Sequence, residues 1–239
     1  MFALEVKNLT KSYGSLKALD GASFEINEKE IFGLIGPNGA GKTTALRIIA
    51  TILSRDGGDI SIFGMELGKD DEKIREIISY LPEEAGAYKN LTGNNYLNFM
   101  AGFYAKNVEE KRQFVDAGIE IADLGDRLKN KVSTYSKGMT RKILLARSLM
   151  MMPKLAILDE PTSGLDVLNS IEIRKIIKDF VKKGVTVLLS SHNMLEVEFL
   201  SDRVALIDKG KILETGKPEE LKQKFSARNL EEVFMEVVR

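Results

Sequence analysis

Apolar and polar residues alternate in two segments near the start of the chain. Residues 2–9 and 19–26 follow this pattern, which has the period of a half-buried β-strand. Between them, Lys11-Ser12-Tyr13-Gly14 is expected to form a turn that carries an aromatic side chain. The chain is therefore predicted to begin with two strands joined by a turn.

Short, continuous apolar runs then alternate with segments of helical spacing. The run 31–35 predicts a buried strand, and residues at helical spacing follow it up to about Leu53. A helix is expected from Ser136 to about Met152, where Pro153 ends it. Further strands are predicted at 59–63 (after an Asp56-Gly57-Gly58 turn), 155–158, 185–189, 204–207 and 212–214, and further helices over 173–181 and in two short pieces from Pro218. Because strands alternate with helices, the pattern predicts an α/β fold with a parallel, helix-covered sheet.

The middle third of the chain has a different composition. Residues 80–104 hold 6 of the 17 aromatic residues, and Thr92 is expected to cap a helix there. Four apolar side chains are predicted to share one face of that helix: Tyr96, Phe99, Met100 and Phe103. With a second amphipathic helix at 108–122, this region is interpreted as a helical insertion. Its aromatic residues either pack its own core or line a groove for a partner.

The overall composition narrows the possible functions. A chain of 239 residues forms one large domain, or a domain with a subdomain. Lysine plus arginine and aspartate plus glutamate number 35 each, so net charge gives no reason to expect nucleic-acid binding. The lack of cysteine excludes disulfides and thiolate chemistry. The first residues lack a signal pattern and no apolar run approaches a membrane span, so a membrane function is expected to need another chain.

One nine-residue segment matches the phosphate-loop pattern G-x-x-x-x-G-K-[ST]. Its residues are Gly36, Pro37, Asn38, Gly39, Ala40, Gly41, Lys42, Thr43 and Thr44. The glycines allow successive N–H groups to surround phosphate oxygens, Lys42 adds a positive charge, and the Thr43 hydroxyl suits Mg²⁺. A predicted strand before the loop and a helix after it support nucleotide binding. The alternative is a glycine-rich turn that binds nothing.

Three further residues follow predicted buried strands. Asp159 and Glu160 come after the run 155–158, and His192, the only histidine, comes after the run 185–189. Carboxyl ends of parallel strands meet at the edge where ligands bind. An acid there can hold Mg²⁺, and a second can deprotonate an attacking water, while histidine can contact the γ-phosphate or that water. Taken alone, the acids fit a solvated strand end and the histidine fits an ordinary surface or core residue.

Four spaced elements together resemble the nucleotide-binding subunit of an ATP-binding cassette (ABC) protein. They are the phosphate loop, Ser136-Lys137-Gly138-Met139, the segment 155–160 followed by Ser163-Gly164-Leu165-Asp166, and Ser191-His192. The resemblance covers nearly the whole chain. Two more segments, 80–84 and 230–234, resemble the ATPases of ABC-2-type exporters.

The resemblance implies roles for the candidate residues. Tyr13 would stack on adenine, Glu160 would be the general base, and His192 would sense the γ-phosphate. Mg²⁺ would be held with the help of Thr43, Glu83 and Asp159. Glu83 departs from the family pattern, which usually has glutamine at this position, and a carboxylate there could bind Mg²⁺ more strongly or repel the phosphates.

The resemblance also implies a head-to-tail dimer with two ATP molecules between the subunits. Ser136 and Gly138 match the family signature Leu-Ser-Gly-Gly-Gln, in which they would clamp the ATP of the other subunit. Asp166 would lie at the junction of the two subunits. Tyr135, Lys137 and Met139 differ from the signature, although Lys137 could add its own charge to the γ-phosphate contact.

For the whole chain, the resemblance implies a P-loop NTPase core with an N-terminal antiparallel β-subdomain and a helical subdomain inserted at about 84–152. The ATPase domain would span 1–217 and a short helical extension 218–239. The expected function is ATP hydrolysis that powers export by a separate integral-membrane permease, on the inner face of the cell membrane. The other ATPase subunit would be a second copy or a homologous chain. Two alternatives are an ABC ATPase that acts on DNA, ribosomes or cofactor assembly, and a P-loop kinase, which would not need the signature.

Overall fold

Strands and helices alternate over most of the chain in the computed structural model, which describes residues 2–238. The strands are β1 (Phe2–Tyr13), β2 (Leu16–Asn27), β3 (Ile31–Ile35), β4 (Gly57–Ile62), β5 (Met65–Glu66), β6 (Ile78–Leu81), β7 (Leu155–Asp159), β8 (Thr186–Ser191), β9 (Arg203–Asp208) and β10 (Lys211–Gly216). The α-helices are α1 (Lys42–Ile49), α2 (Asp71–Ile77), α3 (Gly93–Ala101), α4 (Val108–Ala122), α5 (Lys137–Leu149), α6 (Val167–Lys182), α7 (Met194–Leu200), α8 (Pro218–Lys224) and α9 (Leu230–Val238). Two short 3₁₀ helices lie at Gly125–Lys129 and Val132–Thr134.

These strands form two sheets. The first is antiparallel, with strand order β2-β1-β4-β5. The second has the order β10-β9-β3-β8-β7-β6; its strands from β9 to β6 run parallel, and β10 is antiparallel to β9 at one edge. The predicted α/β fold with a parallel sheet and an N-terminal antiparallel β-subdomain is therefore confirmed.

The parallel sheet is buried on both faces. In β3, Ile31 and Ile35 belong to a hydrophobic cluster that includes residues of α3, α4, α5 and α6. Phe32 and Leu34, which alternate with them, belong to a second cluster that includes residues of β1, β2, β4 and α1. Because successive side chains of a strand point to opposite faces, burial on both faces explains why this strand is apolar throughout.

A mainly helical segment follows β6 and ends where β7 begins. The Thr92 hydroxyl accepts a hydrogen bond from the Asn95 N–H at 3.2 Å, which confirms the predicted cap of α3. The bounds of α4 coincide with the predicted 108–122, and both α3 and α4 pack against α5. An inserted helical subdomain is thus part of the observed fold.

The aromatic residues of this segment divide between core and surface. Tyr96 is fully buried, whereas Phe99 is 46% and Phe103 67% exposed. The prediction that Phe103 shares a helical face with Tyr96 is wrong, because α3 ends at Ala101. Phe103 instead lies in the following turn, where its ring packs edge-on against Phe99 at a centroid distance of 5.0 Å.

Several predicted boundaries differ from the structure. The expected turn at residues 11–14 is wrong at its start, because β1 continues through Tyr13 and pairs with Leu16 of β2. Gly57 and Gly58 belong to β4 rather than to a turn. The two helices α1 and α5 end a few residues earlier than predicted.

Two helices and two strands were not predicted. The helices α2 and α7 have only 7 residues each, and β5 has 2 and β6 has 4. Segments this short contain too few residues to establish a period. Packing and pairing with neighbouring elements hold them instead, as in β6, whose Leu81 lies beside Leu158 of β7.

Two glycines provide a test of how closely the N-terminal sheet is packed. Gly58 has φ 89° and Gly64 has φ 78°, so alanine is strained at both. At Gly58 a Cβ would also lie 2.5 Å from the Asn8 carbonyl oxygen, whereas at Gly64 it would meet nothing within 4 Å. We expect Gly64→Ala to cost about 1 kcal/mol and lower the Tm by about 2–4 °C. Gly58→Ala should lower it at least about twice as far, since the strand must also move. Thermal unfolding measures both, and equal shifts would contradict the close packing.

Candidate functional site

The segment between β3 and α1 contains two glycines whose backbones lie directly against neighbouring strands. A Cβ on Gly36 would collide with the carbonyl oxygen of Ile207 in β9. Gly41 has φ 106°, and a Cβ there would collide with the carbonyl oxygen of Ala18 in β2. The loop is therefore held between the two sheets, and it leads directly into the N-terminus of α1.

The Lys42 side chain folds back over this loop. Its Nζ donates to the carbonyl oxygens of Gly36 at 2.7 Å and Pro37 at 3.1 Å, and it lies 3.8 Å from Glu160 Oε1. The side chain is only 6% exposed. Burial lowers the pKa of Lys42, and the carboxylates of Glu160, Asp159 and Glu83 act in the opposite direction. Lys42 is thus a buried cation at a point where acidic groups converge.

Asp159, at the end of β7, is surrounded by hydroxyl groups. Its Oδ1 accepts from Thr43 Oγ1 at 3.2 Å and from Ser190 Oγ at 2.5 Å. Its Oδ2 accepts from the Tyr80 hydroxyl at 3.4 Å. Burial, and then the Asp159 charge, raise the pKa of Tyr80, so this tyrosine remains a neutral donor. These contacts fix the carboxylate beside the first turn of α1.

Glu160 directly follows Asp159, and its backbone adopts a left-handed conformation with φ 48°. The turn directs its carboxylate toward the loop after β8. There His192 Nδ1 lies 2.9 Å from Glu160 Oε1, and Ser191 Oγ donates to Oε2 at 3.4 Å. The carboxylate is buried, while the His192 side chain is 47% exposed. Glu160 therefore lies between the buried Lys42 and a histidine that reaches solvent.

Tyr13 and Glu83 lie at the same cleft. Together with the loop residues 38–44 and Glu160 they line an open cavity of about 260 Å³. Tyr13 is 48% exposed at the end of β1, so its ring is available to a planar ligand. The structure thus brings together Tyr13, the phosphate loop, Glu83, Asp159, Glu160 and His192.

The remaining predicted residues form a second group, at the N-termini of α5 and α6. Ser136 caps α5 by accepting from the Met139 N–H at 3.2 Å, and Asp166 caps α6 by accepting from the Asn169 N–H at 3.0 Å. A Cβ on Gly138 would collide with the Asn169 side chain, so the two helix ends are in close contact. No hydrogen bond or ion pair among residues 2–238 joins this group to the phosphate loop.

Lys137 belongs to this second group. A Cβ on Gly164 would collide with Lys137 Nζ, so the ammonium group lies over the loop that precedes α6. Lys137 also lines a cavity of about 430 Å³ together with Glu83 and Ser163. Ser163 Oγ donates to Glu83 Oε1 at 3.4 Å, so Glu83 borders both groups of candidate residues.

Sequence reasoning did not single out three residues that support the site: Tyr80, Ser190 and Arg141. Ser190 lies opposite Asp159 in the parallel pairing of β7 and β8, and no local sequence pattern marks it. Arg141 is 7% exposed. Its spacing from Leu144 and Leu145 places it on the buried face of α5. Because arginine is unusual in a buried position, this spacing could have identified Arg141 from the sequence.

The fold and the cleft define a protein that binds a nucleotide through a phosphate loop at the carboxyl edge of a parallel sheet. Comparison with known proteins makes this assignment more specific. The family model described as "ABC transporter" matches residues 19–163. The chain belongs to the ABC transporter family and is an ATP-binding subunit of it.

Individual proteins agree with this assignment. The chain is 37% identical to the linearmycin resistance ATP-binding protein LnrL of Bacillus subtilis (strain 168) over 213 residues, which are 89% of this chain and 68% of that protein. A solved ATP-binding subunit of an ABC transporter has a TM-score of 0.86 and 30% identity, covering 99% of this chain and 100% of that one. A dimeric ATP-binding cassette, MJ0796, bound to ADP and Pi has a TM-score of 0.80 and 25% identity, covering 90% and 98% of the two chains. A role in transport is supported over the alternative of a non-transport ATPase.

The link that Ser190 makes between the two acidic residues provides a stability test. Its hydroxyl donates to Asp159 and accepts from the Glu160 N–H at 3.1 Å, and the residue is fully buried. We expect Ser190→Ala to cost about 1–3 kcal/mol, because both partners lose a buried hydrogen bond. This corresponds to a fall in Tm of about 2–12 °C.

Ser201→Ala is the matched control for this test. Ser201 is also buried, but in the described part of the chain its hydroxyl has no hydrogen-bond partner. Removing that hydroxyl should leave the Tm unchanged or raise it. Equal losses for the two variants would show that the Ser190 hydrogen bonds do not contribute specifically.

Proposed function

We propose that this subunit binds ATP together with Mg²⁺, hydrolyses the ATP, and uses closure of a head-to-tail dimer to drive export through a separate membrane permease. One observation carries the hydrolytic part of the proposal. The buried Glu160 carboxylate lies 3.8 Å from Lys42 of the phosphate loop and 2.9 Å from His192. A base, a phosphate-binding cation and a γ-phosphate contact are therefore close to one another.

Each residue of the cleft has a proposed task. Tyr13 stacks on the adenine ring, and backbone N–H groups within residues 38–44 bind the phosphates at the N-terminus of α1. Lys42 provides the cation for the outer phosphates. Glu160 accepts a proton from the attacking water, whose oxygen bonds to the γ-phosphorus as the bond to the departing ADP breaks. His192 contacts the γ-phosphate and, through Nδ1, orients the Glu160 carboxylate.

The donor groups beside the phosphate loop fit Mg²⁺. Thr43 and Asp159 place a hydroxyl and a carboxylate oxygen 3.2 Å apart, and Glu83 borders the same cleft. Among residues 2–238, no group of three or more His, Cys, Asp or Glu is arranged to hold a metal ion by itself. This agrees with Mg²⁺, which proteins usually hold through few side chains together with substrate phosphates and water. When bound, Mg²⁺ neutralises phosphate charge.

A dimer would bring the second group of residues to an ATP molecule. Ser136, Lys137 and Gly138 lie at the N-terminus of α5, which suits a phosphate, but in this chain they lie apart from the phosphate loop. We propose that they clamp the ATP bound by the other subunit and that Asp166 lies at the junction. The similarity to a dimeric cassette bound to ADP and Pi supports this arrangement. The other subunit is a second copy of this chain or a homologous ATPase.

Replacing the proposed base separates hydrolysis from binding. Glu160→Gln keeps the size of the side chain but cannot accept the proton. We expect a stable dimer in ATP and Mg²⁺, with hydrolysis reduced at least about 100-fold. Phosphate release measures the rate, and size-exclusion chromatography with light scattering measures the dimer. A variant that stays monomeric with ATP, or that hydrolyses normally, would refute the assignment.

The control for this experiment is Glu120→Gln. Glu120 is exposed on α4 and the substitution makes the same change in charge and shape. Its hydrolysis rate should equal that of the unmodified protein. The comparison separates loss of the proposed base from a general effect of removing one carboxylate.

We assign the permease contact to the exposed aromatic residues of the helical segment. Phe99 packs edge-on against both Tyr88 and Phe103, at centroid distances of 5.4 and 5.0 Å, and all three rings are substantially exposed. Aromatic clusters of this kind are typical of protein interfaces. The described chain has no helix that is long and apolar enough to cross a bilayer. The proposed location is therefore peripheral, on the inner face of the cell membrane and bound to the permease.

Removing one ring of this cluster tests the contact. We expect Phe103→Ser to lower co-purification with a multispanning protein from detergent-solubilised membranes at least about tenfold, because truncating an interface hot spot costs roughly 2 kcal/mol or more. Basal ATP hydrolysis should not change. Phe199→Ser is the control, since Phe199 is exposed to a similar extent, at 73% against 67% for Phe103, but lies on α7. Undiminished recovery of the membrane protein with Phe103→Ser would refute this contact.

A further inference from the structure

Arg141 is the charged residue of α5 that lies deepest in the protein. It is 7% exposed and lies on the buried face of the helix. From there its guanidinium reaches the loop that follows β6, where Nη1 donates to the carbonyl oxygens of Pro82 at 3.3 Å and Glu83 at 3.2 Å. This side of the guanidinium therefore holds the backbone of the loop that carries Glu83.

The other side of the guanidinium holds the loop that follows β7. Nε donates to the carbonyl oxygen of Pro161 at 2.7 Å, and Nη2 donates to that of Asp159 at 3.5 Å. Nη2 also makes a short hydrogen bond to the carbonyl oxygen of Glu160. One side chain thus binds five backbone carbonyl groups, which belong to the loop after β6, the last residue of β7 and the loop that follows β7.

This arrangement requires a guanidinium group. Arginine has five N–H donors in a rigid planar fork, whereas lysine offers three donors from a single point. A lysine ammonium can therefore satisfy one loop but cannot span both. Burial lowers the pKa of Arg141, and the carboxylates of Glu83, Asp159 and Glu160 oppose that effect. The cation is thus retained in the interior by acidic groups on both loops.

The contact with Glu160 falls where the backbone adopts a left-handed conformation. Glu160 has φ 48°, a conformation that is unfavourable for a residue with a Cβ. Its N–H is held by Ser190 and its carbonyl by Arg141. Both ends of the residue are therefore anchored, and this fixes the direction in which its carboxylate points.

Arg141 lies on α5, and Ser136 is the N-terminal cap of this helix. Five residues of α-helix span only about 8 Å, and a helix of this length moves as a rigid rod. We propose that Arg141 is a positioning residue that couples the orientation of the Glu160 carboxylate to the position of the N-terminus of α5. The proposal rests on the role of Glu160 as base and of Ser136 as a phosphate clamp. Binding of ATP at the N-terminus of α5 would thereby stabilise the aligned base at the other nucleotide of the dimer.

The test is the variant Arg141→Lys, which keeps the charge but loses the fork. We expect kcat to fall about tenfold to a hundredfold, because a base displaced by a fraction of an ångström is poorly aligned. KM for ATP and the affinity of the monomer for Mg-ADP should change by less than about twofold, since the phosphate loop is untouched. If Arg141 acts through Glu160, the same substitution should lower the residual hydrolysis of Glu160→Gln by less than about twofold.

Two further variants serve as controls. Lys142→Met changes the next residue of α5, whose side chain pairs with Glu172 of α6 at 2.7 Å; within residues 2–238 this side chain forms no ion pair with either loop. It should leave kcat unchanged. Arg141→Gln keeps a planar group with two donors, and we expect a kcat below that of the unmodified protein while the chain remains folded by circular dichroism.

The outcomes separate this proposal from the proposed function. An unchanged kcat in Arg141→Lys would overturn the positioning role while Glu160 remained the base. The same conclusion would follow if Arg141→Lys lowered kcat by the same factor in the Glu160→Gln variant as in the unmodified protein. Normal hydrolysis by Glu160→Gln would instead refute the role of Glu160. Failure of both Arg141 variants to fold would also overturn the proposal, because it would assign Arg141 to the stability of the core.

Discussion

The parallel register of β3, β7 and β8 is the constraint on which the site depends. Ile35, the last residue of β3, lies beside Ser191 of β8, and Asp159, the last residue of β7, lies beside Ser190. The three strands therefore end at the same edge of the sheet, and the loops that follow them lie side by side. Burial of the sheet on both faces fixes this register, because a shift by one residue would turn apolar side chains from one core to the other. Residues that are more than a hundred positions apart in the sequence thereby come within hydrogen-bond distance.

Electrostatics at this edge combine two buried cations with three carboxylates. Lys42 approaches the acidic groups from the phosphate loop and Arg141 approaches them from α5, and burial lowers the pKa of both. A buried charge is tolerated when it is paired and hydrogen-bonded. Here each cation donates to backbone carbonyl groups while carboxylates lie nearby. The arrangement holds several charged groups in a region of low dielectric, where interactions with phosphate charge are strong.

The sequence predicted those parts of the molecule that depend on local patterns. Alternation and helical spacing identified the main strands, and the Thr92 cap and the 15 residues of α4 were predicted correctly. The phosphate loop could be recognised from its glycines, because its backbone conformation admits few other residues at those positions. The approach of Asp159, Glu160 and His192 to that loop was also expected, because strand ends in a parallel sheet share an edge.

The contacts that could not be predicted are those set by packing between distant segments. Nothing near Ser190 in the sequence shows that its hydroxyl joins Asp159 to Glu160, since this follows from the neighbouring strand. Arg141 could be recognised as a polar residue on an apolar helix face, but its carbonyl partners come from loops 18 to 59 positions away. The position of Phe103 depended on where α3 ends, and a helix end is decided by local competition that hydrophobic spacing does not describe.

The contact between the N-termini of α5 and α6 has a mechanical consequence. Gly138 admits the Asn169 side chain, and Asn169 in turn donates to Asp166 through both its backbone and its side chain. The two helix ends therefore pack directly against each other, and a tilt of α5 toward α6 would displace the Asn169 side chain that bonds to the cap of α6. In the proposed dimer, a neighbouring subunit that pushes on the N-terminus of α5 would act on α6 through this contact. The segments at residues 136–138 and 166–169 are consequently coupled to each other by packing.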